Sequence, residues 1–399
     1  MSLALACGIA CGVALAVVGY AYAGYPMLLL LLNALRRPHK GHPQRVQGPP
    51  VEWPMVSITL PVYNEEAMIR GKLERLTSLE YPPERLQILV VSDASSDGTD
   101  EIVREFADRG VELLRLERRA GKTAAENAAR PLLRGGVVVN TDASVRVASG
   151  ALKALVAVFA DGSVGVASGR DMSVARGGNH ANEGESRYVG YEMWIRDLET
   201  RLGGIVGASG CFYAVRKHLH TFLVPTALSR DFAAPLTARE HGYRAVSVRE
   251  AVCYVPRTSS LRREYARKVR TITRGIETLF YKRRLLNPFR YGLFAWMLIS
   301  HKLCRWLVPW ALVLGGCALA VLSLFRPWAR WVLSAAALAA VIAVVGWLWP
   351  ARWRPPKIVG VFAYALGAHI AVLHASLRAV RQELDPVWEP TRRETVEIP

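Results

Sequence analysis

The segment LQILVVSDASSDGT at residues 86–99 joins a short apolar run to a polar turn, and the segments around it repeat this arrangement. Short, β-branched runs that end in a turn indicate buried strands. Strands are predicted at residues 55–62, 86–92, 111–116 and 136–140, and helices between them at residues 65–79, 99–108 and 122–133. Strands that alternate with helices predict an α/β domain whose parallel sheet is covered by helices on both faces.

Polar residues directly follow the predicted strands, where the ligands of such sheets bind. Three strands are followed by carboxylates, at Glu65, Asp93 and Asp142, and one by Lys122. Carboxylates there can bind a base, a ribose or a divalent metal, and a lysine can contact a phosphate. Each of these turns alone is equally typical of a plain surface turn. Four of them together predict a ligand site at one edge of the sheet.

Residues 121–123, GKT, follow a strand and open a helix, as a nucleotide-binding P-loop does. A P-loop also needs a glycine five residues earlier, where this sequence has Leu116. The intervening residues 117–119, ERR, provide no glycine-rich cradle. The sequence therefore argues against an ATPase or a GTPase.

The composition is both basic and apolar: 399 residues carry 51 Lys and Arg against 33 Asp and Glu, and 51% are hydrophobic. Disorder and a disulfide scaffold are excluded, and six scattered cysteines without a CxxC pair predict free thiols. The apolar residues concentrate in four segments that contain no Asp, Glu, Lys or Arg, each long enough to span a bilayer. These predicted membrane helices are residues 3–32, 306–325, 332–349 and 358–377.

Basic residues flank the predicted membrane helices. Four follow the first one (Arg36, Arg37, Lys40 and Arg45) and four precede the second (Lys282, Arg283, Arg284 and Arg290). The positive-inside rule then places the domain between them in the cytoplasm. Three C-terminal crossings would leave Arg378, Arg381, Arg392 and Arg393 outside, against that rule, so the number of spans stays open.

The apolar segments allow two other interpretations. Residues 287–305 are a candidate interfacial helix with Arg290, His301, Lys302 and Arg305 on its polar side. The first segment resembles a signal peptide with a cleavage site at residues 21–23, AYA. Against cleavage, no Lys or Arg precedes the apolar run, and the run continues to Leu32.

An ordered set of motifs across residues 50–310 resembles the membrane-embedded family-2 glycosyltransferases, which include cellulose, chitin, hyaluronan and poly-N-acetylglucosamine synthases. The motifs are PVYNEE at 61–66, SDASSDGT at 92–99, AGKTAAEN at 120–127, TDAS at 141–144, GASGCFYAVRK at 207–217, SRDF at 229–232, RKVRT at 267–271 and SHKLCRW at 300–306. The resemblance implies a cytoplasmic domain of the GT-A type, with a Rossmann-like parallel or mixed sheet, together with an α-helical transmembrane bundle.

The implied domains are an N-terminal membrane helix (1–35), the GT-A domain (50–256), interfacial amphipathic helices with the RKVRT motif (257–305), C-terminal membrane helices (306–377) and a tail (378–399). The resemblance also implies roles for single residues at the donor. Tyr63, Glu65 and Asp93 would hold the uridine of a UDP-sugar, and Lys122 would lie near its base or diphosphate. Arg267 and Arg270 would clamp the diphosphate, with Thr271 replacing the tryptophan usual after them.

Asp142 matches the first aspartate of the DxD motif, which implies Mg²⁺ or Mn²⁺ as cofactor. The third position is Ser144, whose hydroxyl is a weaker metal ligand than a carboxylate. Asp231 matches the base that activates the acceptor, although Arg230 replaces the acidic residue that usually precedes it. Ser209 and Gly210 would lie on the acceptor side.

Three functions follow from this resemblance. The first is an inverting transferase that extends a polysaccharide and passes it through its own helices. The second adds a single sugar to a lipid, and the third is a non-catalytic descendant of such enzymes. The expected partners are a nucleotide sugar, a carbohydrate or lipid acceptor and anionic membrane lipid. A nucleic-acid partner would suit the net charge of +18 but not the apolar segments.

Overall fold

The computed structural model describes residues 3–35, 52–174, 183–256, 261–350, 356–383 and 387. The basic residues Arg36, Arg37, Lys40 and Arg45, and most of the tail predicted at 378–399, lie outside this part of the chain. The described residues form an α/β domain and a set of long apolar helices.

The described strands form one eight-stranded sheet in the order β3-β2-β1-β4-β7-β6-β8-β5. They are β1 (Val56–Val62), β2 (Leu86–Ser92), β3 (Val111–Arg115), β4 (Val137–Thr141), β5 (Arg146–Val147), β6 (Val164–Val174), β7 (Phe212–Arg216) and β8 (Arg244–Pro256). Strands β1 to β4 run parallel, as predicted, whereas β7 is antiparallel to both of its neighbours. The sheet is therefore mixed, with the predicted parallel strands in its first half.

The helices in chain order are α1 (Leu3–Gly19), α2 (Tyr25–Leu35), α3 (Glu66–Thr77), α4 (Thr99–Arg104), α5 (Lys122–Ala129), α6 (Ala151–Ala157), α7 (Glu183–Leu202), α8 (Lys217–His220), α9 (Arg230–Glu240), α10 (Leu261–Tyr281), α11 (Pro288–Leu298), α12 (Cys304–Leu322), α13 (Pro327–Trp347) and α14 (Lys357–Val380). Helix α5 ends at Ala129, before the predicted residue 133, because Pro131 has no amide hydrogen with which to continue it. A short 3₁₀ turn, Arg130–Leu132, follows.

The parallel half of the sheet is buried on both faces, so its strands are continuous apolar runs instead of alternating ones. In β2, Ile88 and Val90 belong to the core cluster that includes α3 and α6 side chains. Leu89 and Val91 point to the other face and pack with Ala125 of α5. Both faces are thus closed by helices, and the polar turns at the strand ends remain along one edge of the sheet.

Four described helical segments are long and apolar enough to cross a bilayer: Leu3–Leu35, Pro288–Leu322, Pro327–Trp347 and Lys357–Val380. They overlap the four predicted segments and begin at or before the predicted first residues, but the second and third end two to three residues earlier than predicted. Helix α1 packs against α12, and α14 packs against α10 and α13. Small side chains on α14 are buried there and permit close approach of the helices: Gly360, Ala363, Gly367, Ala371 and Ala375.

The interfacial helix considered for residues 287–305 stays a prediction. Helix α11 continues through a π-helical turn at Ile299–Leu303 into α12, so these residues begin a 35-residue apolar segment. Arg290 is exposed, but His301 and Arg305 are buried. His301 and Arg305 both face α7, where Glu192 bonds to each of them.

His220, a buried histidine of α8, should make the stability of the domain depend on pH. It is buried with Nε2 3.3 Å from Asn140 Oδ1, and burial together with the charges of Arg230 and Arg130 lowers its pKa well below the ordinary value. Below about pH 6.5 the unfolded chain therefore takes up a proton that the folded chain does not. We expect stability to fall on acidification below that pH, by up to about 1.4 kcal/mol per pH unit.

The measurement is the melting temperature of the full chain and of His220→Gln between pH 5 and 8. The wild-type chain should lose more stability than the variant as the pH falls. Parallel curves for the two proteins would show that His220 contributes nothing to the acid sensitivity.

Candidate active site

A cavity of about 520 Å³ lies at the carboxyl ends of the parallel strands, within the size range of small-molecule sites. Its walls come from the sheet edge, the loop before β7, helix α9, and helices α7, α10, α12 and α14. The structure brings most of the predicted site residues together on these walls: Glu65, Lys122, Asp142, Ser144, Ser209, Gly210, Asp231, Arg267 and Arg270.

Tyr63 and Asp93 are not part of the cavity wall and instead support the loop before α5. Both carboxylate oxygens of Asp93 accept hydrogen bonds, from the backbone amides of Ala120 at 2.7 Å and Gly121 at 2.8 Å. The guanidinium of Arg119 lies 3.8 Å from the centre of the Tyr63 ring. The structure thus gives these two residues a positioning role, and their contact with a nucleoside stays a prediction.

Lys122 and Asp142 form the centre of the sheet edge. Gly121 has a φ of +92°, which glycine tolerates, and the turn there directs Lys122 into the cavity at the start of α5. Lys122 Nζ lies 2.5 Å from Asp142 Oδ1 and 3.4 Å from the carbonyl oxygen of Gly210. Burial alone would lower the pKa of Lys122, but the charges of Asp142, Glu126 and Asp231 raise it. The ammonium therefore stays charged, as contact with a phosphate requires.

Lys72 was not predicted as a site residue, but its side chain holds the loop that carries Asp142. Its Nζ donates to Thr141 Oγ1 at 3.0 Å and to the carbonyl oxygen of Val145 at 2.6 Å. These bonds connect the two ends of the loop that carries Asp142. Burial lowers the pKa of Lys72 to about 8. The signal available in the sequence was a lysine beside Leu73 on the apolar face of a predicted helix.

Asp231 lies in the first turn of α9, and two neighbours restrict its carboxylate. The hydroxyl of Ser229 donates to Asp231 Oδ1. Gly210 borders the other oxygen, because a Cβ added to Gly210 would lie 2.5 Å from Asp231 Oδ2. The carboxylate is therefore held against the acceptor-side loop that the sequence analysis singled out.

Gly210→Ala should displace this carboxylate. A 2.5 Å contact is shorter than van der Waals distance, and the Asp231 side chain is the group that can move. We expect a loss in transfer rate of about 10²-fold, the effect of misplacing a reacting group by about 1 Å. The rate is measured against Gly71→Ala, whose added Cβ meets no atom within 4 Å. Equal rates for both variants would mean that Gly210 does not position Asp231.

Arg230, the departure from the family pattern, forms a buried ion pair with Glu126 of α5. Arg230 Nε lies 3.6 Å from Glu126 Oε2, with side-chain exposures of 4% and 1%. Arg230 also donates to the carbonyl oxygen of His220 at 3.0 Å and to the Asn127 side chain. Burial raises the pKa of Glu126 despite the charges of Lys122 and Arg230. Glu126 also lines the cavity, and it was not among the site residues predicted from the sequence.

Asp171 of β6 is a second carboxylate that the sequence analysis missed. Ser209 Oγ donates to both of its oxygens, at 2.7 and 2.6 Å, and Cys253 Sγ lies 3.3 Å away. Asp171 and Ser209 both line the cavity, so this bond ties the acceptor-side loop to the sheet. The sequence offered no signal for Asp171, because it lies inside a strand and outside every motif.

Helix α10 carries the predicted diphosphate clamp and connects the domain to α14. Arg267 makes two hydrogen bonds to Glu264, at 2.9 and 2.7 Å, and it lines the cavity together with Arg270. Lys268 Nζ lies 3.5 Å from the centre of the Tyr364 ring on α14. Thr271 also lines the cavity. The clamp residues are thus held between the sheet edge and a candidate membrane span.

The residues present can hold a divalent metal together with a diphosphate. Across the described chain, no three His, Cys, Asp or Glu side chains converge to bind a metal by themselves. Asp142 and Ser144 nevertheless present a carboxylate and a hydroxyl to the cavity. Mg²⁺ and Mn²⁺ are typically bound through one or two carboxylates, waters and substrate phosphates, so this donor set fits them.

The sheet order, the polar carboxyl ends of its parallel strands and the helix that carries Asp231 define a GT-A fold, the fold of a class of glycosyltransferases. Residues 57–220 match the family described as "Glycosyl transferase family 2". This match spans most of the α/β domain and agrees with the class predicted from the motifs.

Two curated relatives and one solved structure are similar to this chain. A beta-monoglucosyldiacylglycerol synthase of Trichormus variabilis is 33% identical over 168 residues, which cover 41% of this chain and 36% of that protein. A probable glycosyltransferase, YdaM, of Bacillus subtilis is 48% identical over 58 residues, which cover 14% of each chain. The chain thus matches only about a third or less of the length of these relatives.

The solved structure is a mannosyltransferase from Pyrobaculum calidifontis in complex with GDP-Man and Mn²⁺. It superposes with a TM-score of 0.69 at 24% sequence identity, over 94% of this chain and 99% of that one. The similarity thus extends beyond the family 2 domain to nearly the whole fold.

Proposed function

We propose that this protein is an integral membrane glycosyltransferase that transfers a single sugar from a nucleotide sugar to a membrane lipid. The observation that carries the proposal is the cavity, which is lined both by the sheet edge and by candidate membrane spans. Lys122 and Asp142 lie on the first wall, and Pro309, Ala368 and Val372 on the second. One cavity can thus hold a polar donor and a lipid acceptor at the same time.

Three cationic side chains in the cavity suit the diphosphate of the donor: Lys122, Arg267 and Arg270. They would neutralise the negative charge that develops on the diphosphate as the glycosidic bond breaks. A divalent ion held by Asp142 and Ser144 would add positive charge at the same oxygens. UDP-sugars are the first donors to test, since Tyr63, Glu65 and Asp93 match motif positions that imply uridine.

Asp231 is the proposed general base. Its carboxylate would take the proton from an acceptor hydroxyl as that oxygen bonds to the anomeric carbon, while the bond from that carbon to the diphosphate breaks. The oxygen attacks from the face opposite the leaving group, so the anomeric configuration inverts. Ser229 and Gly210 restrict the carboxylate to one position, which favours such a reaction.

A lipid acceptor is favoured over the polysaccharide acceptor, the first function that the motif resemblance implies. The wall formed by α12 and α14 includes apolar side chains that suit acyl chains. Trp306 also lines the cavity, with its ring centre 6.4 Å from that of Phe232, and adds apolar surface beside Asp231. The name of the Trichormus variabilis relative, which matches part of this chain, points to a glycolipid product.

The proposed location is a multi-pass membrane protein with its catalytic domain in the cytoplasm. Exposed basic side chains of Arg283, Arg284 and Arg290 lie at the start of the candidate span Pro288–Leu322. Clusters of this kind favour the cytoplasmic face of a membrane and its anionic lipids.

The test is a panel of radiolabelled UDP- and GDP-sugars with the purified full chain in lipid nanodiscs, with Mg²⁺, Mn²⁺ or EDTA. The expected product is one labelled glycolipid that extracts into organic solvent and disappears with EDTA. A ladder of water-soluble products would instead identify a polysaccharide synthase. No transfer from any donor would contradict a catalytic function.

A further inference from the structure

Three cations surround one carboxylate at the membrane side of the cavity; we name Arg196, Lys302 and Arg305 the membrane-side basic cluster. All three face Glu192: Arg305 Nη1 donates to Oε2 at 2.8 Å, and Lys302 Nζ and Arg196 Nε lie 3.5 and 3.6 Å from Oε1. All four side chains line the cavity. A second buried carboxylate, Glu199, is bonded to His301 beside them. Two carboxylates still leave the three cations with an excess of positive charge.

The two guanidinium groups of the cluster are buried with unused donors. Arg196 and Arg305 are 7% and 8% exposed. Within the described chain, Nη1 of Arg196 and Nη2 of Arg305 have no hydrogen-bond partner, and neither has Nε of either residue. A buried charged donor without an acceptor costs free energy. A cavity lined by such donors is suited to an anionic ligand that accepts from them.

The cluster lies beside the reacting end of the proposed acceptor site. Lys302 Nζ is 5.8 Å from the centre of the Phe232 ring, next in sequence to Asp231. Lys302 Nζ also lies close to Gly207 of the acceptor-side loop: a Cβ added to this glycine would be 3.4 Å from it. Tyr22, from the first candidate span, lines the same cavity. An anion bound here would therefore belong to a molecule that enters between the domain and the membrane helices.

We propose that the membrane-side basic cluster binds the phosphate of a phosphate-bearing acceptor lipid. The inference rests on the proposed function and names the class of its acceptor. Arg196 and Arg305 would donate to the phosphate oxygens, and Lys302 would hold the phosphate beside Asp231. The same chemistry is offered by a phosphoglycerolipid with a hydroxylated headgroup and by an isoprenoid phosphate.

The test measures lipid binding by the purified full chain in dodecyl maltoside micelles. The probes are radiolabelled phosphatidylglycerol and farnesyl phosphate, each compared with its phosphate-free partner, dioleoylglycerol or farnesol. We expect at least one phosphate lipid to bind about ten-fold or more tightly than its partner, the effect of one charge-assisted hydrogen bond. A preference for phosphatidylglycerol would identify a phosphoglycerolipid as the ligand. A preference for farnesyl phosphate would identify an isoprenoid phosphate.

Lys302→Gln should reduce this preference about ten-fold, whereas Lys302→Arg should keep it. Arg201→Gln, at an exposed site of α7 outside the cavity, is the matched control and should also keep it. Arg305→Gln should act like Lys302→Gln. If loss of its buried charge prevents folding, Lys302→Gln decides the result, because the Lys302 side chain is 19% exposed.

UDP and GDP binding are measured on the same preparations. Equal binding of the paired lipids by the wild-type chain, or a preference that survives Lys302→Gln, would overturn the inference. Loss of nucleotide binding in Lys302→Gln would also overturn it, because the cluster would then serve the donor. Failure of the proposed function is a separate result: no transfer from any nucleotide sugar, whatever the lipid binding.

Discussion

Asp231→Asn is expected to lower the sugar-transfer rate about 10²–10⁴-fold and to leave nucleotide binding unchanged. The amide is close in size to the carboxylate, so it can still accept from Ser229 and fit against Gly210. It cannot take up the proton of an acceptor hydroxyl, and general-base assistance is lost. The measurement compares initial rates at saturating donor with the dissociation constant of the nucleotide.

Two controls separate the loss of a base from a general disturbance of the domain. Asp108→Asn, at an exposed position outside the cavity, should transfer sugar at the wild-type rate. Ser229→Ala should cost less than Asp231→Asn, because it removes one hydrogen bond to the carboxylate and keeps the base. An unchanged rate in Asp231→Asn would exclude this carboxylate as the base.

Arg230→Gln should destabilise the protein by about 3–5 kcal/mol, the cost of leaving a buried charge without its partner. Glu126 is 1% exposed in its side chain, and Arg230 Nε lies 3.6 Å from it. The variant also loses the bond from Arg230 Nη1 to the carbonyl oxygen of His220. For a domain of this size the melting temperature should fall by roughly 6–20 °C.

The double variant Glu126→Gln/Arg230→Gln should recover much of this loss, because it removes both buried charges. Arg104→Gln is the matched control, since it breaks the exposed ion pair with Glu101 and should cost at most about 1 kcal/mol. Melting temperatures are measured by intrinsic fluorescence of the full chain in detergent. An Arg230→Gln variant as stable as Arg104→Gln would show that the ion pair between Arg230 and Glu126 does not stabilise the folded protein.

The strands and the membrane helices could be predicted from the sequence because their signals are local. Residues 86–92 were predicted as a strand with the bounds that the structure has, since burial on both faces requires an unbroken apolar run. The candidate spans follow from length and hydropathy alone. Helix ends were less well predicted: α5 was extended to residue 133 although Pro131 is a local stop signal that ends the helix at Ala129.

The residues at the strand ends were predictable for the same reason. Lys122 and Asp142 each follow a strand, and parallel strands bring their carboxyl ends to one edge. Asp231, Arg267 and Arg270 lie far along the chain from that edge. Only the family motifs predicted that they belong to the same site, and the structure places them on the walls of one cavity.

The sequence by itself determined the elements, the apolar segments and the kinds of polar residue at the sheet edge. The tertiary structure alone decided which charges face one another. Ser209 bonds to Asp171 across 38 residues, and Arg305 to Glu192 across 113. These pairs depend on distances between elements that pack together, and no periodicity or local pattern in the chain encodes such a distance. The charges of the cavity, including the membrane-side basic cluster, are therefore a property of the packed molecule.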